Sequence, residues 1–156
     1  TVELGPAEPV GQGYAFTLRG HAENWAYLPG TVGIGTDSSF YAGLAGMVFA
    51  LTAEKQRTQP FVCPSDNVTE EATFEFAPDA SVLVLPPDVR IASPYFEYRS
   101  SYRREAHSVR VDRRFKSGKA GSRVCSPEDS AAMQPDIARM VRDLRSQLIL
   151  QQLEPR

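Results

Sequence analysis

Residues 68–76 and 96–116 keep a two-residue period, and that period constrains the fold of this chain more than any other feature. In the first stretch Ala72, Phe74 and Phe76 fall on one side, and Thr69, Glu71, Thr73 and Glu75 on the other. That is the pattern of a half-buried strand with an acidic outer face. In the second stretch Phe96, Tyr98, Ser100 and Tyr102 share a face, and after a break Val109, Val111, Arg113 and Phe115 share one too. Two such runs predict a β-hairpin. A turn at Glu105-Ala106, with Arg104 opposite His107, sets Tyr102 against Val109, Ser100 against Val111 and Phe96 against Phe115 inside. Outside, it sets Arg99 against Asp112 and Glu97 against Arg114. Opposite charges across a ladder favour a register by about 0.2–1 kcal/mol per pair. Glu-Ala is not a preferred two-residue turn, so a four-residue loop in the same register is expected. Tyr98 opposite Arg113 is the one inner pair that fits poorly; a guanidinium stacked at a sheet rim would accommodate it.

The remaining elements follow from shorter signals. The first dozen residues, rich in Gly and Pro, read as linker. Tyr14, Phe16 and Leu18 have strand period, and 21–28 is a further extended run closed by the Pro29-Gly30 turn. Thr31 to Thr36 is glycine-rich but lacks the third glycine and the preceding strand of a dinucleotide-binding loop. Phe40, Leu44, Met47, Val48 and Leu51 form a helical stripe that Asp37, Ser38 or Ser39 can cap; a strand over 46–52 is the alternative. Ser81 to Leu85 is continuously apolar and is expected to be an interior strand, with Pro86-Pro87 ending it and 89–91 extended again. Ser126-Pro127-Glu128-Asp129 has the cap, first-turn proline and acids of a helix start. Pro135 interrupts, and Ile137, Met140, Val141, Leu144 and Leu148 then predict a main helix over about 136–150, before a tail at 154–156 that should fray.

The expected class is α+β: an antiparallel β-sheet or β-sandwich with a C-terminal amphipathic helix packed on it. One domain spans 1–156, with a linker at 1–12, strands and a helix in 13–57, a β-rich core at 58–124 and the C-terminal helix at 125–150. The opening Thr1-Val2-Glu3-Leu4-Gly5-Pro6 lacks an initiator Met and an apolar leader, and reads as a cut inside a larger protein or a mature N-terminus. The longest uncharged apolar stretch, Phe40 to Ala53, would span about 21 Å as a helix. A hydrocarbon core is about 30 Å thick, so no membrane insertion is expected.

Charge is segregated behind a net total of −2. Residues 1–88 carry eleven acidic groups and three basic ones, whereas residues 89–124 carry eight Arg and two Lys against Glu97, Glu105 and Asp112. A basic block of this kind either faces a partner or is neutralised within the fold. Arg99, Arg103, Arg104, Arg110 and Arg114 are its candidate binding residues, with tyrosines interleaved. Nucleic-acid binding would use such a set. The low isoelectric point of about 5.7, the partners Glu97 and Asp112, and the acidic strand expected beside the hairpin all argue against it. Internal pairing by Glu71 and Glu75, or docking on an acidic protein surface, fits better. Trp25 and nearby tyrosines could instead stack on a sugar.

Catalytic chemistry has thin material. Cys63 and Cys125 lack CxxC spacing, and with two histidines the chain is short of zinc ligands. The cysteines are either a disulfide of an exported protein or two buried thiols of a cytosolic one. A cysteine or serine nucleophile needs a histidine base; His21 and His107 both lie beside turn signals, and no Gly-x-Ser-x-Gly elbow is present. Neither a catalytic group, a metal site nor a cofactor is expected.

From Thr58 onward the order of short motifs is familiar: Gln59-Pro60-Phe61, Leu85-Pro86-Pro87-Asp88-Val89, Tyr98 and Tyr102, Val109 to Arg113, Val124 to Asp129, then Arg142-Asp143-Leu144 with Gln147. Over about 58–150 this resembles the β-rich C-terminal region of bacterial exported transglutaminase-like proteins, which pair a papain-type domain with β domains of unknown function. The resemblance implies periplasmic or other export, which favours the disulfide. It implies a catalytic triad upstream rather than in this chain. The Arg-rich, Lys-poor composition, fourteen to three, fits a GC-rich bacterial source. The functional expectation is a non-catalytic accessory or interaction domain, docking on another domain of the same protein or on an acidic protein surface. A glycan- or small-ligand-binding module and an enzyme with an unrecognised site are the alternatives.

Overall fold

The computed structural model describes residues 2–4, 16–18, 26, 28–37, 43–54 and 56–152. Trp25, His21, Phe40, most of the run 21–28 and the tail 154–156 lie outside them. The described chain is α+β, mostly antiparallel sheet with two helices. The strands are β1 (Val2–Leu4), β2 (Phe16–Leu18), β3 (Gly30–Gly35), β4 (Phe61–Val62), β5 (Asn67–Glu75), β6 (Ala80–Val84), β7 (Val89–Ala92), β8 (Phe96–Arg104), β9 (Ser108–Ser117), β10 (Val124–Cys125) and β11 (Gln147–Gln152). The helices are α1 (Leu44–Ala50) and α2 (Pro127–Leu144).

The alternating stretches build the main sheet, in the order β5-β9-β8-β7, antiparallel throughout. A smaller sheet has the order β3-β11-β6, and β1 pairs with β2 and β4 with β10. The inner face of the main sheet carries two apolar clusters. One unites Phe96, Tyr98 and Phe115 with Leu44 and Val48 of α1 and with Met133, Ile137, Met140 and Leu144 of α2. The other unites Tyr102, Val109 and Val111 with Leu148 of β11, and Phe74 and Val82 pack against it.

Several expectations need correction. The hairpin closes two residues out of the expected register: Arg104 lies opposite Val109, Tyr98 opposite Phe115, Ser100 opposite Arg113 and Arg99 opposite Arg114. Residues 105–107 connect the two strands, and the Glu105 amide donates to the Ser108 carbonyl at 2.9 Å. A two-residue shift leaves every side chain on its expected face but changes every partner. The inner face decides the register. An exposed charge pair is worth only about 0.2–1 kcal/mol, too little to hold the expected register against the cross-strand fit of the inner side chains. The shift also replaces the awkward Tyr98–Arg113 pair by Arg113 beside the small Ser100.

α2 is one helix that continues through Pro135 and ends at Leu144. Ser126 and Asp129 form a reciprocal capping box at its start, and Pro135 sits on the exposed side. The buried stripe Met133, Ile137, Met140 and Leu144 runs across the proline and offsets its lost hydrogen bond. Residues 147–150, expected in the helix, belong to β11, where Leu148 and Leu150 are buried at strand period. The spacing of four from Leu144 to Leu148 imitates a helix; the spacing of two to Leu150 is the strand. β6 is not interior: it ends its sheet among the described residues, and Leu83 and Val84 are about half exposed. Val2–Leu4, inside the expected linker, pairs with β2. Thr31 to Gly35 belongs to β3, next to β11. The expected turn before it has a cis Leu28–Pro29 peptide and Gly30 at φ +125°.

Cys63 and Cys125 form a disulfide, with Cα atoms 5.1 Å apart, that binds the β4–β10 ladder to the start of α2. It spans 62 positions of chain and contributes about 4 kcal/mol by restricting the unfolded chain. Among the described residues no helix is long and apolar enough to cross a membrane.

A candidate anion-binding row on the outer sheet face

The outer face of the main sheet is built of cross-strand rows. Each row takes one residue from each strand, and successive rows are two residues apart. In one row Thr73 of β5 meets Arg110 of β9, which meets Arg103 of β8. These arginines are answered within the chain. Arg110 bonds Asp112 at 3.0 Å and Glu71 at 3.2 Å, and Arg103 forms a two-pronged pair with Asp88, just before β7, at 3.2 and 3.0 Å. The hydrogen bond from Arg103 is the main reason that the Asp88 carboxyl is held below its ordinary range.

Four residues further along, past a row in which Glu71 meets Asp112 and Asp112 meets Ser101, lies the row Thr69, Arg114, Arg99, Arg90, one residue from each of β5, β9, β8 and β7. Three guanidinium-bearing side chains here stand directly beside one another. None forms an ion pair or side-chain hydrogen bond among the described residues. Arg99 reaches Asp88 only through space. The next row pairs Lys116 with Glu97 at 3.9 Å. The arginine row lines an open cleft of about 820 Å³, walled by the turn at Ser93 and Pro94. Like charges directly opposite destabilise a ladder, so the contacts of these arginines with one another do not stabilise the fold.

The five hairpin arginines expected to bind therefore divide. Arg99 and Arg114 are brought together at the cleft, Arg103 and Arg110 are neutralised in place, and Arg104 stands exposed at the hairpin tip away from the row. Arg90 completes the row. Its isolated position in a short strand gave no signal of this; only the β7–β8 register places it. Trp25 falls outside the described residues.

Sequence reasoning also missed what lies under the sheet. Arg113 is fully buried, its charge enclosed between the two apolar clusters. Its Nη1 donates to the Thr36 carbonyl at 2.8 Å and to Glu70 Oε1 at 3.0 Å. Its Nη2 donates to Thr36 Oγ1 at 2.6 Å and to the Tyr102 hydroxyl at 3.1 Å. Nε faces Asp143 Oδ2 at 3.6 Å. Asp143, at the end of α2, accepts from the hydroxyls of Tyr98 and Tyr102. Burial first, and the nearby Asp143 charge second, push the Tyr98 hydroxyl well above its ordinary pKa. This network joins β3, β5, β8, β9 and α2, and its job is to hold them. The signal that could have found Glu70 is its alternation with Glu71, which sets it on the inner face of β5.

Cys63 and Cys125 are bonded to each other, so neither offers a thiolate. His107 is exposed in the hairpin loop. Among the described residues no group of three or more His, Cys, Asp or Glu is placed to hold a metal ion. No protein-family model, curated protein or solved structure matches this chain.

Proposed function

We propose that this chain is a non-catalytic interaction domain of an exported bacterial protein, and that its outer sheet face docks on an acidic protein surface. The observation that carries this reading is the row Arg90, Arg99, Arg114, adjacent across three strands and without an ion pair among the described residues, while Arg103 and Arg110, four residues further along, are neutralised. A like-charged row costs the fold a little stability, and a partner's carboxylates would recover it through charge-assisted hydrogen bonds. Export is supported by the disulfide, because such bonds persist in oxidising compartments. A transglutaminase-like domain of the same protein, as the sequence resemblance implies, is a natural place for the acidic surface; the full-length gene tests that context.

The docking reading is tested by titrating the protein with poly-glutamate at low and high salt. Saturable binding is expected that weakens as salt rises and is lost when Arg90, Arg99 and Arg114 are all changed to Gln. Absence of binding at low salt, or undiminished binding by that variant, would sink it.

A further inference from the structure

The geometry of the row carries more than its sign. We infer that the partner segment is the acidic face of an α-helix, laid across the strands along Arg90, Arg99 and Arg114. This rests on the docking reading above and specifies the shape of its occupant.

The argument is one of spacing. The three arginines occupy successive strands, so their attachment points step by about 4.8 Å and span about 9.6 Å at right angles to the strands. On one face of a helix, acids at i, i+4 and i+7 step by about 4.5–6 Å along the axis and span about 10.5 Å. An extended segment puts same-side residues about 6.7 Å apart, so three span about 13 Å and outrun the row. Helical spacing gives each guanidinium one carboxylate with no side chain splayed.

The width of the strip agrees. On one side of the row stands the Lys116–Glu97 pair; on the other stand Glu71 and Asp112, which hold Arg110, together with Asp88, which holds Arg103. Each flanking row lies two residues from the arginines, so the strip between them is about 13 Å wide. A helix with its side chains is about 10–12 Å across. A broad acidic surface would press its outer carboxylates against Glu97, Glu71, Asp112 and Asp88. A single helix does not. The cleft is open, and Thr69, at the end of the row, adds a hydroxyl that can bond a fourth acid or the helix backbone.

The test uses fluorescently labelled peptides of one composition and one net charge, titrated with the whole chain at low salt. The first is a stable helix with Glu at i, i+4 and i+7 on one face; the second has the same residues scrambled around the helix; the third alternates Glu and Thr as an extended segment. An oligonucleotide of equal charge is the fourth probe. The first peptide is expected to bind about tenfold more tightly than the second and third, because each of these loses about two of the three pairs. Single changes Arg90→Gln, Arg99→Gln and Arg114→Gln should each weaken it about two- to fivefold, and Arg104→Gln, outside the row, should not. Equal binding of the three peptides, all lost in the triple Gln variant, overturns the helix while leaving the docking surface in place. An oligonucleotide that binds as tightly as the first peptide also overturns it. Failure of every acidic peptide to bind removes both. Circular dichroism of each variant reports that the fold is intact, which the exposure of all three arginines leads one to expect.

Discussion

Arg113 and Arg114 are neighbours in sequence, and the pleat of β9 sends them to opposite faces of one sheet. Arg113 is fully buried and meets two carboxylates, two hydroxyls and a backbone carbonyl. Arg114 is exposed, stands between Thr69 and Arg99 and bonds no carboxylate among the described residues. A buried charge must be answered within the fold, since an unpaired one is very costly. An exposed charge is answered by water and need not have a protein partner. The inner face therefore reports what the fold requires, and the outer face is where a preference for a partner can be written without loss of structure.

The comparison breaks most visibly at Arg113. Arg113→Met leaves Asp143 buried without its cation, and urea unfolding should show a loss of about 3–5 kcal/mol. Adding Asp143→Asn should return part of that loss, because the stranded charge goes with it. A loss below about 1 kcal/mol for the single change would mean that the network is not holding the sheets and helix together. Next in size is Glu70→Gln, which keeps the shape but removes the charge from the 3.0 Å bond to Arg113; about 1.5–3 kcal/mol is expected by the same measurement.

A smaller effect should separate a third basic group, Lys119, from both arginines. It bonds Asp129 at 2.5 Å, and that bond first, with the Ser126 amide second, holds the Asp129 carboxyl far below its ordinary value of 3.8. A depressed folded-state pKa contributes stability that is present above the unfolded value and is lost as pH falls through the folded one. Asp129→Asn should thus lower the melting temperature at neutral pH, and the gap to the parent should narrow as pH drops below 3.8. A gap that stays constant into strong acid would contradict the assigned cause. The smallest effects are expected in the outer row, where Arg99→Gln and Arg114→Gln should each change stability by less than about 0.5 kcal/mol, on the stabilising side because a like-charge contact is relieved.

The two faces were not equally legible. Alternation assigned each residue of 96–116 to its face, and an even shift of register left that assignment intact. The partners were not legible, since the outer charges pointed to Arg99 with Asp112 and Glu97 with Arg114, whereas aromatic packing beneath chose Arg99 with Arg114. The arginine row exists because the inner face outweighed the outer one, so a reading that balanced outer charges could not find it. Arg90 was invisible because it stands alone in a short strand, and only the β7–β8 register places it beside Arg99. At the C-terminus, Leu148 satisfies both a helical stripe from Leu144 and a strand pair with Leu150, and only the pairing of β11 with β3 and β6 decides between them. The Arg113 network needed five elements at once, and one arginine on an apolar face suggested a rim rather than a centre.

The claim at the centre is that the outer arginines serve a partner and the inner one serves the fold. Equilibrium urea unfolding of the variant with Arg90, Arg99 and Arg114 all changed to Gln tests it most directly. Stability equal to or slightly above that of the parent, with an unchanged denaturant slope, is the expected result. A loss of about 2 kcal/mol or more would show that the row is part of what holds the sheet together, and would contradict the account.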